Sequence, residues 1–230
     1  MSTILITGAN KGLGREAARR LLELGHDVWV AARDPGRGAE AASALGARFV
    51  ALDVTDDASV HAAAEHVAGA GGLDVLVNNA GIVGRRAPVA ETTAGDVRAV
   101  FETNVLGVVR VTGAFLPLLA RSPNPVIVNV SSGMGSLAVT TDAERLESRI
   151  VALAYPSSKS AVNMLTTQYA KALPQVRVNA VDPGYTATDL NGHSGTQSVQ
   201  EGTDAIVAMA TVGSDGPTGT FVDRHGAVPW

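Results

Sequence analysis

Short runs of β-branched and other apolar residues, each bounded by turn-forming residues, recur along the chain. Most of these runs are apolar at successive positions rather than at alternate ones, which indicates strands that are buried on both faces. The pattern predicts seven strands, at residues 4–7, 28–32, 49–52, 75–77, 126–130, 176–181 and 220–222.

Alanine-rich segments of helical length separate several of these strands and lie at residues 13–24, 58–68, 97–120 and 157–173. Strands that alternate with helices form parallel sheets covered on both faces, and right-handed crossovers then favour a doubly wound order. The sequence has no internal repeat and no linker. We therefore expect residues 1–230 to form a single α/β domain with about seven parallel strands.

Composition and charge narrow the possible partners. The chain has 230 residues, of which 46% are hydrophobic and 17% charged, so it can bury a sizeable core. Its formal charge of −4 gives no basic footprint for nucleic acid or for an anionic membrane surface. The absence of cysteine excludes disulfides, thiolate nucleophiles and cysteine-rich metal sites. No leader segment and no unbroken apolar run of membrane-spanning length is evident, so we expect a cytoplasmic protein.

Two segments interrupt the regular alternation of strands and helices. Residues 133–153 carry a charged stretch at 142–149, which is either a solvated helical turn or a wall of a substrate site. Residues 190–202 are rich in Gly, Ser, Asn and Thr, and they are either a mobile lid or an inert surface loop.

A glycine-rich turn, Thr7–Gly14, follows the first predicted strand and precedes a helix. Its glycines let the backbone approach a pyrophosphate, and the amides and dipole of a helix N-terminus favour negative charge there. The spacing, with glycines at 8, 12 and 14, departs from the Gly-x-Gly-x-x-Gly pattern. The alternative is a tight turn with a purely structural role.

The end of the second strand bears on the choice of cofactor. A carboxylate often stands there to bind the adenosine ribose, but this chain has Ala32 followed by Arg33. Without an acid to repel a 2′-phosphate, and with Arg33 and Lys11 as cations, the residues favour NADP(H). Arg33 could also be a solvated turn residue. Asp53 could accept a hydrogen bond from adenine, or it could be the N-cap of the next helix.

A phenol and an ammonium group stand four residues apart at Tyr155 and Lys159, near the start of a predicted helix in which Pro156 suits the first position. Tyrosine exchanges protons poorly at neutral pH, since its pKa is about 10. A lysine about 4 Å away would lower that pKa by up to about three units. The alternative is an exposed pair on an ordinary helix.

Read in order, the motifs resemble those of the short-chain dehydrogenase/reductase family over nearly the whole chain. The match includes the glycine turn, Asn78-Asn79-Ala80-Gly81, Asn104, Ser131-Ser132, Tyr155 with Lys159, and Asp182-Pro183-Gly184. The glycine turn, Ala32-Arg33-Asp34 and residues 216–230 look most like the NADPH-dependent carbonyl reductase branch. The resemblance implies a Rossmann-type fold and hydride transfer to a ketone or aldehyde.

The resemblance also implies a role for each matching residue. Ser132 would hold the substrate oxygen, with Ser131 as the fallback, and Tyr155 would supply the proton. Lys159 would stabilise the Tyr155 anion and bind the nicotinamide ribose, while Asn104 would anchor a water. Asn79 would brace the sheet. The residues expected to contact the cofactor are Gly8, Asn10, Lys11, Gly12, Leu13, Gly14, Arg33, Asp53, Val54, Asn79, Ala80, Gly81, Tyr155, Lys159, Pro183, Gly184, Thr186 and Thr188.

Two other functions are compatible with this set of residues. A catalytically silent NADP(H)-binding sensor would keep the fold, although such proteins tend to lose the tyrosine or lysine. A lyase or epimerase with tightly held NAD is a third possibility, against which the missing acid at Ala32 argues. The five histidines show no metal-binding spacing, so no metal is expected. Arg85, Arg86 and His193 could contact substrate. The 22 residues between Ser132 and Tyr155 exceed the roughly one dozen of many family members. The resemblance implies that insertions here can obstruct the helix-to-helix assembly of tetrameric members, so the sequence leaves open whether the protein is a homo-oligomer.

Overall fold

The computed structural model describes residues 1–230. One eight-stranded sheet forms its centre, and the strands run in the spatial order β3-β2-β1-β4-β5-β6-β7-β8. All neighbouring strands are parallel except β7 and β8, which pair antiparallel. The strands are β1 Thr3–Thr7, β2 Asp27–Ala32, β3 Arg48–Ala51, β4 Val75–Asn78, β5 Val126–Val130, β6 Arg177–Val181, β7 Phe221–Asp223 and β8 Gly226–Ala227.

Nine α-helices connect or follow these strands. They are α1 Gly12–Glu23, α2 Pro35–Leu45, α3 Asp57–Gly69, α4 Ala94–Phe101, α5 Gly107–Leu119, α6 Leu137–Thr141, α7 Ala154–Ala172, α8 Val199–Gly202 and α9 Asp204–Ala210. The doubly wound parallel sheet predicted from the sequence is confirmed. Its order reverses at β1 and β4, and in such sheets ligands bind beside the carboxyl ends of the strands at that point.

Two apolar cores cover the two faces of the sheet. Alternate residues of each strand point to opposite faces, so Ile4 and Ile6 lie in one core while Leu5 lies in the other. The first core packs the sheet against α1, α2 and α9, and the second packs it against α3, α5 and α7. Because both faces are covered, the strands need apolar residues on both sides, which explains their unbroken hydrophobic runs.

Several elements differ from the sequence prediction. All seven predicted strands are present, and the structure adds the two-residue β8, which pairs antiparallel with β7. Helix α2 was not predicted, although Asp34 caps it and Pro35 begins it. Helices α8 and α9 were also missed. Pro156 is the third residue of α7 rather than the first, since that helix begins at Ala154.

The predicted helix at 97–120 is three segments in one continuous stretch, α4, a π-helical turn at Glu102–Leu106, and α5. This stretch, Ala94–Leu119, is long and apolar enough to cross a membrane by length and composition. Its apolar residues Val111, Phe115 and Leu119 are fully buried in the second core. Core helices of soluble proteins pass the same test of length and composition, so a single such helix is weak support for a membrane span.

Candidate active site

The glycine turn Thr7–Gly14 places free backbone amides at the carboxyl edge of β1. Gly8 and Gly12 have φ angles of 64° and 55°, which side chains rarely allow. Lys11 is the N-cap of α1, but its side chain makes no capping hydrogen bond, so the amides of the first turn have no side-chain acceptor. A Cβ on Gly12 would meet only Thr188, at 3.8 Å. The turn therefore has the room and the donors that a pyrophosphate requires.

Asn79 fastens the end of β4 to this turn. Its Nδ2 donates to the carbonyl oxygens of Thr7, at 2.8 Å, and Gly8, at 3.3 Å. The Thr7 hydroxyl in turn accepts from the backbone N–H groups of Asn79 and Ala80, both at 3.0 Å. Ala80 lies so close to the turn that a Cβ on Gly8 would be 3.0 Å from its Cα. These contacts give Asn79 the bracing geometry expected from the sequence.

Arg33 lies at the carboxyl end of β2 with 76% of its side chain exposed, and its Nε is 4.0 Å from Asp53 Oδ2. Asp53 accepts hydrogen bonds from the backbone N–H and hydroxyl of Thr55. The alternative role of Asp53 as the N-cap of the next helix is wrong, because Asp56 caps α3. Val54, the remaining predicted residue here, is buried against Gly107.

Lys11, the second predicted phosphate-binding cation, forms an ion pair with Asp189, whose Oδ2 lies 2.9 Å from the Lys11 Nζ. The neighbouring ammonium holds the pKa of Asp189 below its usual range. Both side chains are at least half exposed, so this pair contributes little to stability.

Ser132, Tyr155 and Lys159 come together beyond the carboxyl end of β5. Ser132 lies close enough to Tyr155 for its side chain to act on the pKa of the phenol. Lys159 Nζ donates to the carbonyl oxygen of Val130 at 2.7 Å and lies 5.6 Å from the centre of the Tyr155 ring. A phenol, a second hydroxyl and an ammonium group thus share one small region, which is the arrangement that polarising and protonating a carbonyl oxygen requires.

Burial sets the protonation states of Tyr155 and Lys159. Burial raises the pKa of Tyr155 to about 12, although the hydrogen bond with Ser132 opposes the rise. The expectation that Lys159 brings this pKa towards neutrality is therefore wrong for this structure. Burial also lowers the pKa of Lys159 to about 8. At pH 7 the structure therefore holds a protonated phenol next to an ammonium ion.

The two adjacent serines have different surroundings. Ser131 is buried, and its hydroxyl donates to Asn163 Oδ1 at 2.5 Å within the packing between β5 and α7. Ser132 instead accepts from the backbone N–H of Met134 and faces Tyr155. Ser132 is thus the serine that the structure brings to Tyr155, and Ser131 is bound into the framework.

Asn104 lies in the π-helical turn between α4 and α5 and is buried. Its Oδ1 accepts from the N–H of Ile82 at 2.8 Å, and its Nδ2 donates to the Ile82 carbonyl and to the Ser158 hydroxyl. Gly81 lies between Asn104 and Lys159, since its Cβ position is 3.4 Å from Asn104 Oδ1 and 3.7 Å from Lys159 Nζ. Asn104 therefore ties the segment after β4 to α7 directly below the site. Sequence reasoning did not find the partners Ile82 and Ser158.

The segment after Asp182-Pro183-Gly184 passes back over the glycine turn. Gly184 has a φ of 68°, and Thr186 donates to the carbonyl oxygen of Pro183. Thr188 is mostly buried beside Gly12. The contacts that hold the candidate lid at its start include the Lys11–Asp189 ion pair, a 3.4 Å hydrogen bond from Arg86 to the Leu190 carbonyl, and a 2.9 Å hydrogen bond from Asn191 Nδ2 to the Thr186 carbonyl. His193 Nε2 lies 2.8 Å from Asp189 Oδ1, so this histidine faces the carboxylate that immediately precedes the lid.

The segment 133–153 between Ser132 and Tyr155 contains helix α6 and short 3₁₀ turns at Gly133–Gly135 and Leu146–Arg149. Most of the charged stretch at 142–149 is exposed, as the solvated alternative requires. Glu147 is the exception among its charged residues, because only 20% of its side chain is exposed and it lies over Gly133.

Comparison with known proteins now identifies the family. The family model described as short chain dehydrogenase matches residues 2–198. The chain belongs to the short-chain dehydrogenase family. This finding confirms the resemblance seen in the sequence.

Curated relatives of this short-chain dehydrogenase cover almost the whole chain. A short-chain dehydrogenase of Penicillium roqueforti is 39% identical over 225 residues, which span 92% of this chain and 89% of that protein. The (−)-isopiperitenone reductase of Mentha piperita is 33% identical, with 97% of this chain and 96% of that protein covered. The structure of an NADPH-bound carbonyl reductase from chicken fatty liver superposes with a TM-score of 0.88 at 30% identity, covering 100% of this chain and 99% of that one.

Proposed function

We propose that this short-chain dehydrogenase is an NADPH-dependent reductase of ketones or aldehydes. The observation that carries the proposal is the meeting of Ser132, Tyr155 and Lys159 beyond the carboxyl end of β5. The named relatives are reductases and dehydrogenases, and an NADPH-bound carbonyl reductase shares the fold over its full length. Those relatives confirm the oxidoreductase class and support NADP(H) as the cofactor.

NADPH, when bound, supplies a hydride. The residues of the chain position the carbonyl oxygen, donate the proton and stabilise the resulting phenolate. Ser132 donates a hydrogen bond to the carbonyl oxygen and fixes its position. Tyr155, protonated at neutral pH because burial raises its pKa to about 12, delivers its proton to the same oxygen. The Lys159 ammonium stabilises the phenolate that remains. Donors placed where negative charge develops lower the barrier more than they tighten substrate binding.

The residues around this group fit the cofactor. Three sets of groups would hold it: the free amides of Gly12, Leu13 and Gly14 for the pyrophosphate, Arg33 for the 2′-phosphate, and Lys159 for the nicotinamide ribose. Asn10, Ala80, Gly81 and the Pro183–Thr188 segment border the same edge of the sheet. Asn104 would anchor a water that links Lys159 to solvent. Lys11 would join Arg33 once its ion pair with Asp189 opens.

Initial rates of NADPH oxidation, followed by loss of the reduced cofactor's absorbance, test the proposal. The panel contains aldehydes, diketones and ring ketones, together with (−)-isopiperitenone and salutaridine, the compounds in the names of two relatives. Tyr155→Phe should reduce kcat by about 10²–10⁴-fold, because it removes the general acid. Tyr169→Phe on the same helix is the matched control and should keep the wild-type rate.

A catalytically silent sensor is the rival function. It predicts tight NADPH binding, no turnover on any compound of the panel, and no difference between wild type and Tyr155→Phe. A lyase or epimerase predicts NAD that survives purification and turnover without net cofactor consumption. Faster reduction with NADH than with NADPH would contradict the role given to Arg33.

The proposal also covers the domain organisation, the substrate class, the cellular location and the oligomeric state. Residues 1–230 act as one dinucleotide-binding and catalytic domain, and the substrate is a small carbonyl or alcohol compound. We place the enzyme in the cytoplasm and without nucleic acid, membrane or metal partners. The 133–153 segment packs beside the N-terminal part of α7, so gel filtration with light scattering is needed to decide between a monomer and a homo-oligomer.

A further inference from the structure

Residues 185–197 form a loop, the lid loop, which contains the first part of the candidate lid. Hydrogen bonds within this loop close it on itself. The N–H of Ala187 donates to the carbonyl oxygen of Gln197 at 2.9 Å, and Asn191 Nδ2 donates to the Thr186 carbonyl at 2.9 Å. The lid loop is therefore braced internally, and its position on the rest of the chain depends on the contacts that leave it.

Two polar contacts join the lid loop to distant parts of the chain. The first is the ion pair between Asp189 and Lys11, whose Oδ2 and Nζ atoms are 2.9 Å apart. The second is the hydrogen bond from Arg86 to the Leu190 carbonyl, which is weak at 3.4 Å. The ion pair is thus the stronger of the two contacts, and it fastens the lid loop to the glycine turn.

Asp189 holds the ammonium group that the proposed function assigns to a phosphate of the cofactor. Lys11 directly precedes the first turn of α1, where backbone amides and the helix dipole attract anions. Thr188, the neighbour of Asp189, lies 3.8 Å from the Cβ position of Gly12. The Lys11 ammonium keeps the pKa of Asp189 below its usual range, so this carboxylate is charged at neutral pH. The carboxylate of Asp189 and a phosphate would therefore compete for one cation.

The surroundings of Asp189 allow such an exchange. The side chains of Lys11 and Asp189 are both at least half exposed, so their ion pair is weak. A phosphate carries up to two negative charges and can displace the single charge of a carboxylate. Asp189 then keeps a partner within its own loop, because His193 Nε2 lies 2.8 Å from its Oδ1.

We propose that Asp189 is a positioning residue that holds Lys11 until a phosphate of the cofactor displaces it. This inference rests on the proposed function, because it requires NADP(H) to bind beside Lys11. The exchange removes the stronger contact between the lid loop and the glycine turn, which frees the loop to move onto the bound cofactor. Because the ion pair must open first, it also lowers the apparent affinity for the cofactor.

The test is a double-mutant cycle on NADPH binding, measured by cofactor fluorescence without any substrate. Asp189→Asn should tighten NADPH binding by about two- to fivefold, the scale of one exposed ion pair. Lys11→Met should weaken it. In the Lys11→Met background, Asp189→Asn should have no further effect, because Asp189 acts through Lys11. No tightening in Asp189→Asn, or the same tightening with and without Lys11, would overturn the proposal.

His193→Gln is the matched control, because it removes the other partner of Asp189 and leaves the ion pair with Lys11 intact. It should leave the affinity for NADPH unchanged. If it tightens binding as much as Asp189→Asn does, loosening of the lid loop is the cause and the proposal is wrong.

The same titrations with NADH identify the phosphate that takes Lys11. We expect Asp189→Asn to tighten binding of NADPH alone, which assigns Lys11 to the 2′-phosphate. Tightening of both cofactors would support the exchange and assign Lys11 to the pyrophosphate, which NADH also carries.

The outcomes separate this inference from the proposed function. If Asp189→Asn tightens NADPH binding through Lys11 but no carbonyl compound is reduced, the proposed function fails and the exchange stands. If the wild type reduces carbonyl compounds with NADPH and Asp189→Asn binds the cofactor no more tightly, only this inference fails. If neither cofactor binds, both fail.

Discussion

Replacing Lys159 by methionine should make the protein more stable and inactive. Lys159 is 5% exposed, and burial lowers its pKa from 10.5 to about 8. At 1.36 kcal/mol per pKa unit, the folded protein loses roughly 3 kcal/mol of stability at pH 7 by holding this ammonium in the interior. Methionine fills a similar volume but leaves the Val130 carbonyl without its donor, which costs about 1 kcal/mol. The net expected gain is about 2 kcal/mol.

The pH dependence identifies the cause of this gain. At pH 7 the lysine is protonated in the folded and in the unfolded chain, so the full penalty is present. Between about pH 8 and 10.5 the unfolded chain binds more protons than the folded one, so wild-type stability rises with pH. Lys159→Met has no ionisable group at this position, so its stability lacks this rise with pH. Its advantage over the wild type should therefore shrink steadily as the pH rises above 8.

Urea unfolding followed by circular dichroism measures this difference, at pH 7 and at about pH 9.5, which lies within the window where the wild type gains stability. Lys171→Met is the matched control, since Lys171 is an exposed lysine on the same helix and its loss should leave stability within about 0.5 kcal/mol. The reasoning is refuted if Lys159→Met is less stable than the wild type at pH 7, or if the difference does not change with pH.

Three further predictions concern the cofactor and the packing of the site. Arg33→Gln should weaken NADPH binding about tenfold and leave NADH binding unchanged, as cofactor fluorescence titration can measure; equal losses for both would contradict a 2′-phosphate contact. Gly135→Ala places a methyl group 2.6 Å from the carbonyl carbon of Lys159, so it should cost about 1–3 kcal/mol in thermal unfolding and lower kcat. Gly69→Ala, at the last residue of α3 with nothing within 4 Å, should keep kcat and should not lower stability, because alanine is favoured over glycine in a helix. Limited proteolysis at residues 190–202 should slow when NADPH is added, and unchanged cleavage would argue against a lid.

The features of the fold and the site that have local signals could be predicted from the sequence. The glycine turn, the Tyr155–Lys159 spacing and the apolar strands predicted the parallel sheet, its order of elements and the family. Helix α2 also has a local signal that the prediction does not include, since Asp34 followed by Pro35 is a typical helix start. Helices α8 and α9 were missed because α8 has only four residues and α9 has seven.

Other features depend on contacts between distant parts of the chain. The pKa of Tyr155 rises rather than falls because tertiary burial outweighs the hydrogen bonding with Ser132. Spacing along a helix carries no measure of burial. The approach of Glu147 to Asp182 joins residues 35 positions apart, through a segment whose composition indicates only a solvated turn. Strand β8 has two residues and exists because β7 is there to pair with it.

The π-helical turn at Glu102–Leu106 gives this helical stretch an unusual tolerance to a change in length. A π turn is an α-helix with one additional residue, so the deletion of one residue within it restores a regular helix. The helices on either side, α4 and α5, would keep their phase on the sheet, whereas a deletion elsewhere in a helix rotates everything that follows by about 100°. The extra residue of the π turn is therefore an insertion that turns Asn104 inward. The deletion of one codon within the turn would remove Asn104 from the site while α4 and α5 keep their positions on the sheet.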